Sequence, residues 1–484
     1  MCNGKTMLVC VLFACAGVAM PARASVGALS NPDQAVQEDE SIDLRTLVLV
    51  PASEPAQSLK IRLLPTVAGQ KNGNAALLYH MAAELYPEQE GEEEVEKKVQ
   101  GWLDLPIDQV PMAEANQVLA RFKGSFHEIE LASLRDRCEW EMPLEDGFSM
   151  LIPGLSTYRN LARAMSLRLR IEVSRGQSDQ ALQTLRHGLC MGRNVAEGQS
   201  LIIQDLVGMA ITSMMLKEVE PMFQRADCPN LYWALTALPS PLIDLRKAVE
   251  YEQAALFVEL PGLANLDREV MTPEQASRLA EAFWSKITHL LGPGQVPLHK
   301  FTAVGWVMLH YTDAKAFLAG RGTTRDRIEA MPASQAVMLY QVGSFLEVRD
   351  HLFRWFSVPY SVARPYLRDA DQEINRLTQG KGIKTNLFTI LLPALSRVAF
   401  LQARLDRQIA LLRTIEAIRM YAADHGSRLP QTLEAITEVP VPPDPVTGQA
   451  FLYQVKDGKV ARLEAPKAED ESKKRPVYEL TLKP

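Results

Sequence analysis

The sequence predicts a mainly α protein: an irregular α-helical hairpin array followed by a small C-terminal α+β module, a long helix plus a short antiparallel sheet. Three observations lead there. Apolar residues recur at steps of three and four along most of the chain between Pro111 and Asp424, the period of a helix with one buried face. A long helix-forming run from Leu155 to Phe223 is interrupted only at Gly176 and around Gly198, which predicts antiparallel hairpins. After Gly426 the pattern changes to short alternating runs on either side of Asp457-Gly458, a tight-turn pair typical of β-hairpins. The expected segments are a signal peptide over 1–24, a flexible leader over 25–43 and a strand pair with helices over 44–145. A helical hairpin domain over 146–394 and the module over 395–484 follow.

Each element has a local reason. Leu44 to Val50 and Leu59 to Leu64 are short apolar runs separated by Pro51-Ala52-Ser53-Glu54-Pro55, expected as a strand pair or two extended segments. Asn74 is placed to cap a helix through Leu77, Leu78 and Met81 to about Leu85. Glu88 to Glu96 reads as a solvated acidic loop. Leu119, Phe122, Phe126 and Ile129 define one face of a helix over Pro111–Leu134, and Trp140 is expected as a buried anchor. Helices are predicted at roughly 156–174, 178–195 and 199–224. A short one begins at Pro229, and another is opened by Pro241 and runs to Leu260. Thr272-Pro273-Glu274 combines a cap, a first-turn proline and an acid at the positive helix end, and starts a helix reaching Leu291. Further helices are expected at 299–318, 324–331, 333–356, 359–378 and 388–424. A short helix at Pro430–Ile436 precedes strands at Phe451–Val455, Val460–Leu463 and Pro476–Leu482.

The N-terminus reads as an address. Lys5 precedes an apolar Met7–Met20, and Ala22-Arg23-Ala24 supplies the small residues that place signal peptidase cleavage between Ala24 and Ser25. The preferred reading is export to the periplasm or cell envelope with release. Lipidation at Cys15 after Leu12-Phe13-Ala14, or an uncleaved anchor, are the alternatives. Removal of 1–24 takes away Lys5 and Arg23 and no acid, so the formal charge moves from −6 to −8. An acidic chain without a basic stripe is a poor nucleic-acid ligand, since phosphate neutralisation supplies most of that affinity. No later stretch of about 20 apolar residues predicts a transmembrane helix in the mature chain. Cys138, Cys190 and Cys228 remain after the signal; their spacing fits no zinc site and leaves their pairing open.

Gly176, Ala181, Leu182, Leu185, Gly188 and Leu189 place a turn glycine before a helix whose packing face is small residues and leucine. They match the second half of a tetratricopeptide unit. Arg168, Leu169 and Arg193 depart from its remainder, and only one such unit is found. Gly188 with Gly192, and Gly208 with Thr212, have the spacing that lets helix backbones approach closely.

From Ile415, Ile418 and Tyr421 through Asp424-His425-Gly426, Pro430 and Leu433 to Pro443-Asp444-Pro445, Gly448 and Tyr453, the chain resembles the globular part of major pseudopilins. That resemblance implies a turn built on Asp444, Pro445, Gly448 and Tyr453. Some pseudopilins hold calcium near the equivalent of Asp444, but the supporting acids are not evident here, and no metal is assigned. The assembly helix of pseudopilins is not joined to this module, so polymerisation is not expected. Gly73-Asn74-Ala75-Ala76, Cys138-Glu139-Trp140, Pro229 to Leu235 and Leu238-Pro239 to Asp244 resemble a class of uncharacterised exported bacterial helical proteins. That resemblance implies the fold and no activity.

The search for chemistry assigns no catalytic residue and no cofactor. Gly147-Phe148-Ser149 and Gly154-Leu155-Ser156 lack the second glycine of a nucleophile elbow. Glu347 with His351, and His80 with Glu84, are four apart on helices and supply at most two metal ligands each. Gly380-Lys381-Gly382-Ile383-Lys384-Thr385 has Ile383 where a phosphate loop needs glycine. Arg349, Asp350, His351 and Arg354 sit beside Phe345, Phe353, Trp355 and Phe356. The leading expectation is an exported, non-catalytic scaffold or binding module with an unidentified protein partner, contacted through the helices of 156–260. The alternatives are an envelope hydrolase with dispersed residues such as Glu347, Asp350 and His351, and a secretion-system accessory factor using the C-terminal module.

Overall fold

Strand β1 (Ile42–Leu49) begins the chain described by this computed structural model, which covers residues 42–87, 92–141, 154–197, 201–291, 300–378, 395–468 and 475–483. β1 alternates Leu47 and Leu49, buried, with Leu44, Thr46 and Val48, exposed. The expected second strand at Leu59–Leu64 does not form. Ser58–Lys60 is a single 3-10 turn, and only Leu63 of that run is buried. β2 (Lys71–Asn74) instead pairs in parallel with β3 (Arg135–Arg137), two short polar strands with no apolar alternation to announce them. Helix α1 (Ala75–Glu84) starts where expected, with the Asn74 side chain accepting the Ala76 N–H at 3.1 Å.

The acidic stretch holds a surprise. From Glu92 to Asp104 it is helix α2, not a loop, because Val95, Val99 and Trp102 repeat at four and three and are buried. Glu94 is exposed, and the half-buried Glu96 accepts from Tyr86 and Asn160. The helix expected over 111–134 is two, α3 (Met112–Ala120) and α4 (Lys123–Ser133). Between them Phe122 is buried against the edge of Tyr86, and its N–H bonds tightly back to Leu119.

Helices α5 (Leu155–Ser174), α6 (Ser178–Ala196) and α7 (Ile202–Lys217) form the centre of the core. Gly176 makes the α5–α6 turn at φ +73, and a Cβ there would also meet Arg225 and Asp227. Between α6 and α7 the backbones touch. A Cβ on Gly208 would overlap the Gly192 carbonyl oxygen and Ala196, a Cβ on Gly192 would overlap Thr212, and one on Gly188 would overlap Met215. Ala181, Leu185 and Leu189 are buried, while Leu182 is half-buried at the margin. The sides of these central helices that face one another are buried, and their outer sides carry half-buried and exposed residues.

The next helices are α8 (Tyr232–Thr236) and α9 (Arg246–Glu259). Pro241 does not open α9. It lies in a turn, and the Asp244 side chain accepts the Arg246 N–H at the true start. α10 (Pro273–Leu291) begins with Thr272 and Gln275 bonding reciprocally, side chain to backbone. α11 (Lys300–Gly320), α12 (Arg325–Ala330), α13 (Ala333–Phe353) and α14 (Tyr360–Thr378) follow. α15 (Leu395–Asp424) is the longest helix, and the expected helix at Pro430–Ile436 is only a 3-10 turn over Leu433–Ala435.

β4 (Leu452–Lys456) and β5 (Val460–Glu464) form the expected hairpin. Asp457 and Gly458 both have positive φ, and Lys459 N–H donates to the Lys456 carbonyl. β6 (Arg475–Leu482) adds antiparallel to β5. β1 then joins β6 in parallel, Leu47 beside Leu480 and Leu49 beside Leu482. The sheet order is therefore β1-β6-β5-β4, and the leader boundary at 43 falls inside a strand. Among the described residues there are fifteen α-helices and this four-stranded sheet, a mainly α protein with a small α+β unit. No described helix is long and apolar enough to cross a membrane. The signal segment, Cys15, Ala22, Ala24, Ser25, Gly147–Ser149 and Gly380–Thr385 lie outside the described residues.

Two glycine substitutions separate packing from propensity. Gly208→Ala is expected to destabilise by about 1–3 kcal/mol, because overpacking exceeds the helix-propensity gain. Gly101→Ala on α2, where a Cβ meets nothing within 4 Å, is expected to stabilise by up to about 1 kcal/mol. Urea midpoints of the two variants check both signs.

Candidate functional site

A charge cannot be buried alone, so each buried ionisable group must be traced to its partner. α15 is buried on most sides and carries Arg407, Glu416 and Arg419 in its interior. Arg407 forks onto Asp444, Nε to Oδ1 at 2.8 Å and Nη2 to Oδ2 at 2.9 Å. The same carboxylate accepts the Val446 and Thr447 N–H groups and, at 2.7 Å, the Thr447 hydroxyl. Asp444, Pro445 and Gly448 thus form a closed turn, with Gly448 at φ +73 donating its N–H to the Asp444 carbonyl. Tyr453 donates its hydroxyl to the Pro430 carbonyl at 3.0 Å. The Asp444 carboxylate faces a guanidinium, which is the chemistry of a docking pair.

A little over three turns on, Arg419 bonds Glu416 at 2.8 Å and donates Nε to the Val50 carbonyl. Glu416 also accepts the Leu231 N–H at 2.8 Å, and Asn230 donates to the carbonyls of Glu416 and Ala52. Burial pushes the Glu416 carboxyl above its ordinary range, against the pull of Arg419 and the Leu231 N–H. Two more centres are built alike. Arg45 pairs with Glu220, to which the Tyr478 hydroxyl donates at 2.8 Å. Arg170 holds Glu218, which also accepts from Ser166.

Asp406, on α15, is less well served. It accepts one backbone N–H, from Leu242 at 3.2 Å, while Gln402 donates to the Ile243 carbonyl. Burial raises its carboxyl to about 6.

A second polar nucleus lies beneath α1. Asn194 donates to the Tyr79 hydroxyl, and its carbonyl accepts the Trp140 indole N–H at 2.7 Å and, at 3.5 Å, the Cys138 thiol. Trp140 is the buried anchor expected, set against Tyr79, Tyr158 and the edge of His80. Burial pushes the Cys138 thiol well up and the Cys190 thiol to about 12, and drives His187 down to about 4. Cys138, Cys190 and Cys228 are all buried free thiols.

The residues singled out for chemistry do not converge. Glu347 pairs with Arg321, Asp350 with Arg349, and His351 Nδ1 lies 2.6 Å from Arg354, each on the outside of α13. His80 is exposed with its Nδ1 3.3 Å from the Tyr158 hydroxyl. Among the described residues no group of three or more His, Cys, Asp or Glu is placed to hold a metal ion. What the helix pattern concealed is an apolar face that the described residues leave half exposed. Leu77, Met81 and Leu85 of α1 and its C-cap lie four apart and are 63%, 49% and 49% exposed. A sequence signal existed: α1 carries Leu77, Leu78 and Met81 in addition to the buried Ala75, Ala76, Tyr79 and Ala82, more apolar surface than burial on one side requires.

No protein-family model, curated protein or solved structure matches the chain.

Two substitutions test the framework. Asp444→Ala leaves Arg407 charged and buried and is expected to cost about 3–5 kcal/mol, read by chemical denaturation. For Asp406, the folded carboxyl binds its proton up to about pH 6, whereas the unfolded chain releases it lower. Wild-type stability therefore falls as pH rises through that window and stays lowered above it. Asp406→Asn keeps an acceptor for the Leu242 N–H. Its advantage should grow from about pH 4 to 6 and then level off, on the order of 3 kcal/mol. Unfolding curves across pH give the profile.

Proposed function

We propose that this chain is an exported, non-catalytic binding module for a protein partner, contacted through α1 instead of the central helices. The observation that carries the reading is the stripe of Leu77, Met81 and Leu85. Leu77 and Met81 face water on a helix whose other side is set on the Tyr79–Trp140 nucleus, and Leu85 at its C-cap is half exposed beside Gly124 of α4. Contiguous exposed apolar surface of this kind is characteristic of interaction sites. The buried acids and bases support it from the other side, since Arg407, Asp444, Arg419, Glu416 and Glu218 are engaged with one another or with backbone. Export rests on the composition of residues 1–24 alone. The resemblances to exported helical proteins and to the pseudopilin module are consistent with an envelope role.

The test is affinity capture of the mature protein from its native envelope fraction, beside a Leu77→Asp, Met81→Asp variant. A reproducible partner captured by the wild type and reduced at least tenfold with the variant is the expected result, equivalent to about 1.4 kcal/mol or more. A folded variant that captures the same partner equally well would remove α1 from the interface. If capture instead depends on the turn at Asp444–Gly448, the secretion-accessory reading takes precedence.

A further inference from the structure

The four-stranded sheet turns one face to the core, where Leu47, Leu49, Ala461, Leu463, Tyr478 and Leu480 are buried. Strand alternation puts the intervening residues on the other face. Register across β1-β6-β5-β4 orders that outer face into rows. The middle row is Thr46, Glu479, Arg462 and Gln454. One flanking row runs from Leu44 on β1 to Leu452 on β4, and the other from Val48 to Lys456. Leu44, Val48 and Leu452 are 50%, 42% and 52% exposed, so the face has an apolar rim on both edge strands.

The middle row carries the charge. Arg462 and Glu479 are directly opposite in the β5–β6 ladder. Arg462 nevertheless turns its Nε to Glu464 on its own strand at 3.2 Å, and Glu464 is held by Arg475 at 2.6 Å as well. The half-buried Glu479 carboxylate has no ion-pair partner among the described residues.

A second copy of the same face complements this pattern in one of its two aligned settings. Sheets pack face to face about 10 Å apart with strands within about 30° of each other. A two-fold axis along the strands, between β5 and β6, lays Glu479 of each copy over Arg462 of the other. It also sets each Leu44 over the second copy's Leu452, and each Val48 over the aliphatic stem of the second copy's Lys456. A two-fold axis across the strands instead puts Arg462 on Arg462 and Glu479 on Glu479, and like charges in contact are strongly disfavoured.

We propose that the outer face of the sheet is a self-association surface, on which two copies of this chain pack sheet to sheet about the axis along the strands. The sheet face, five residues long on β4 and β5, spans roughly 300 Å² at strand spacings of about 4.8 Å. Stable complexes bury about 800 Å² on each partner, so the dimer is weak and depends on concentration. The surface lies on the sheet and not on α1, and it stands or falls independently of the binding-module reading.

The test is sedimentation equilibrium of the full chain across a wide concentration range, with far-UV circular dichroism and urea midpoints showing that each variant is folded. The wild type moves from monomer toward dimer as concentration rises. Arg462→Glu alone and Glu479→Arg alone each weaken association about tenfold or more, because each puts like charges in contact twice. Mixed in equal amounts, the two variants associate with each other as well as the wild type does with itself, since every facing pair is again of opposite sign. Should either variant fail to fold, Leu44→Glu, at a half-exposed position, replaces it and weakens association by the same margin. A wild type that stays monomeric at the highest concentration overturns the proposal, and so does a dimer whose affinity the single variants leave unchanged. Association lost in both variants and not recovered on mixing overturns the facing of Arg462 on Glu479.

Discussion

The paired charges inside α15 hold the architecture together. A thirty-residue helix with Arg407, Glu416 and Arg419 out of reach of water is stable only if each finds an opposite charge or a set of backbone groups at the right distance. Arg407 finds Asp444 and so fixes the turn that leads into the β4–β5 hairpin. Arg419 and Glu416 find each other, the Val50 carbonyl and the Leu231 N–H, and so fix the chain just past β1 and the start of α8. One helix thereby locates the sheet, the N-terminal strand and the segment between α7 and α8. Such pairs contribute little net stability over apolar residues of equal volume. Their value is in specifying one arrangement, because misaligned alternatives leave a charge unpaired.

A second constraint is steric. Close approach of α6 and α7 depends on Gly192 and Gly208 lying opposite each other with Thr212 and Ala196 beside them. Interiors pack like crystals, so an added methyl there displaces backbone instead of filling space. The contact face of this pair is buried, and large apolar side chains are exposed on other elements, α1 and α11 among them. The ionic clusters and the glycine contact both act inward, and the surfaces that remain are peripheral ones.

These inward demands explain why the candidate site was poorly legible. His80, Glu347, Asp350 and His351 drew attention because helical spacing places side chains on one face. Spacing says nothing about what stands opposite, and opposite Glu347 is Arg321, just past the end of α11. Asp444 was legible as a turn residue from the proline on either side of it. Its guanidinium partner, thirty-seven positions earlier, was not. The stripe on α1 was visible as excess apolar content, without any indication of which face would be left uncovered. α2 was concealed by its glutamates, which obscure the interval between Val95, Val99 and Trp102.

The amino-acid sequence by itself determined the helical class, most helix limits, the capping at Asn74 and Thr272, the Gly176 turn and the Asp457-Gly458 hairpin. Each of these depends on residues within a few positions of one another, where propensity, period and turn chemistry act. Tertiary structure alone decided that β1 leaves its neighbours in sequence to pair with β6. It also decided that Leu59–Leu64 forms no strand, which sides of the central helices are buried, and that Arg407, Arg45 and the Arg419 Nε meet partners far along the chain. Those outcomes depend on which distant groups meet once charge and apolar area must be buried together, and no local pattern encodes that choice.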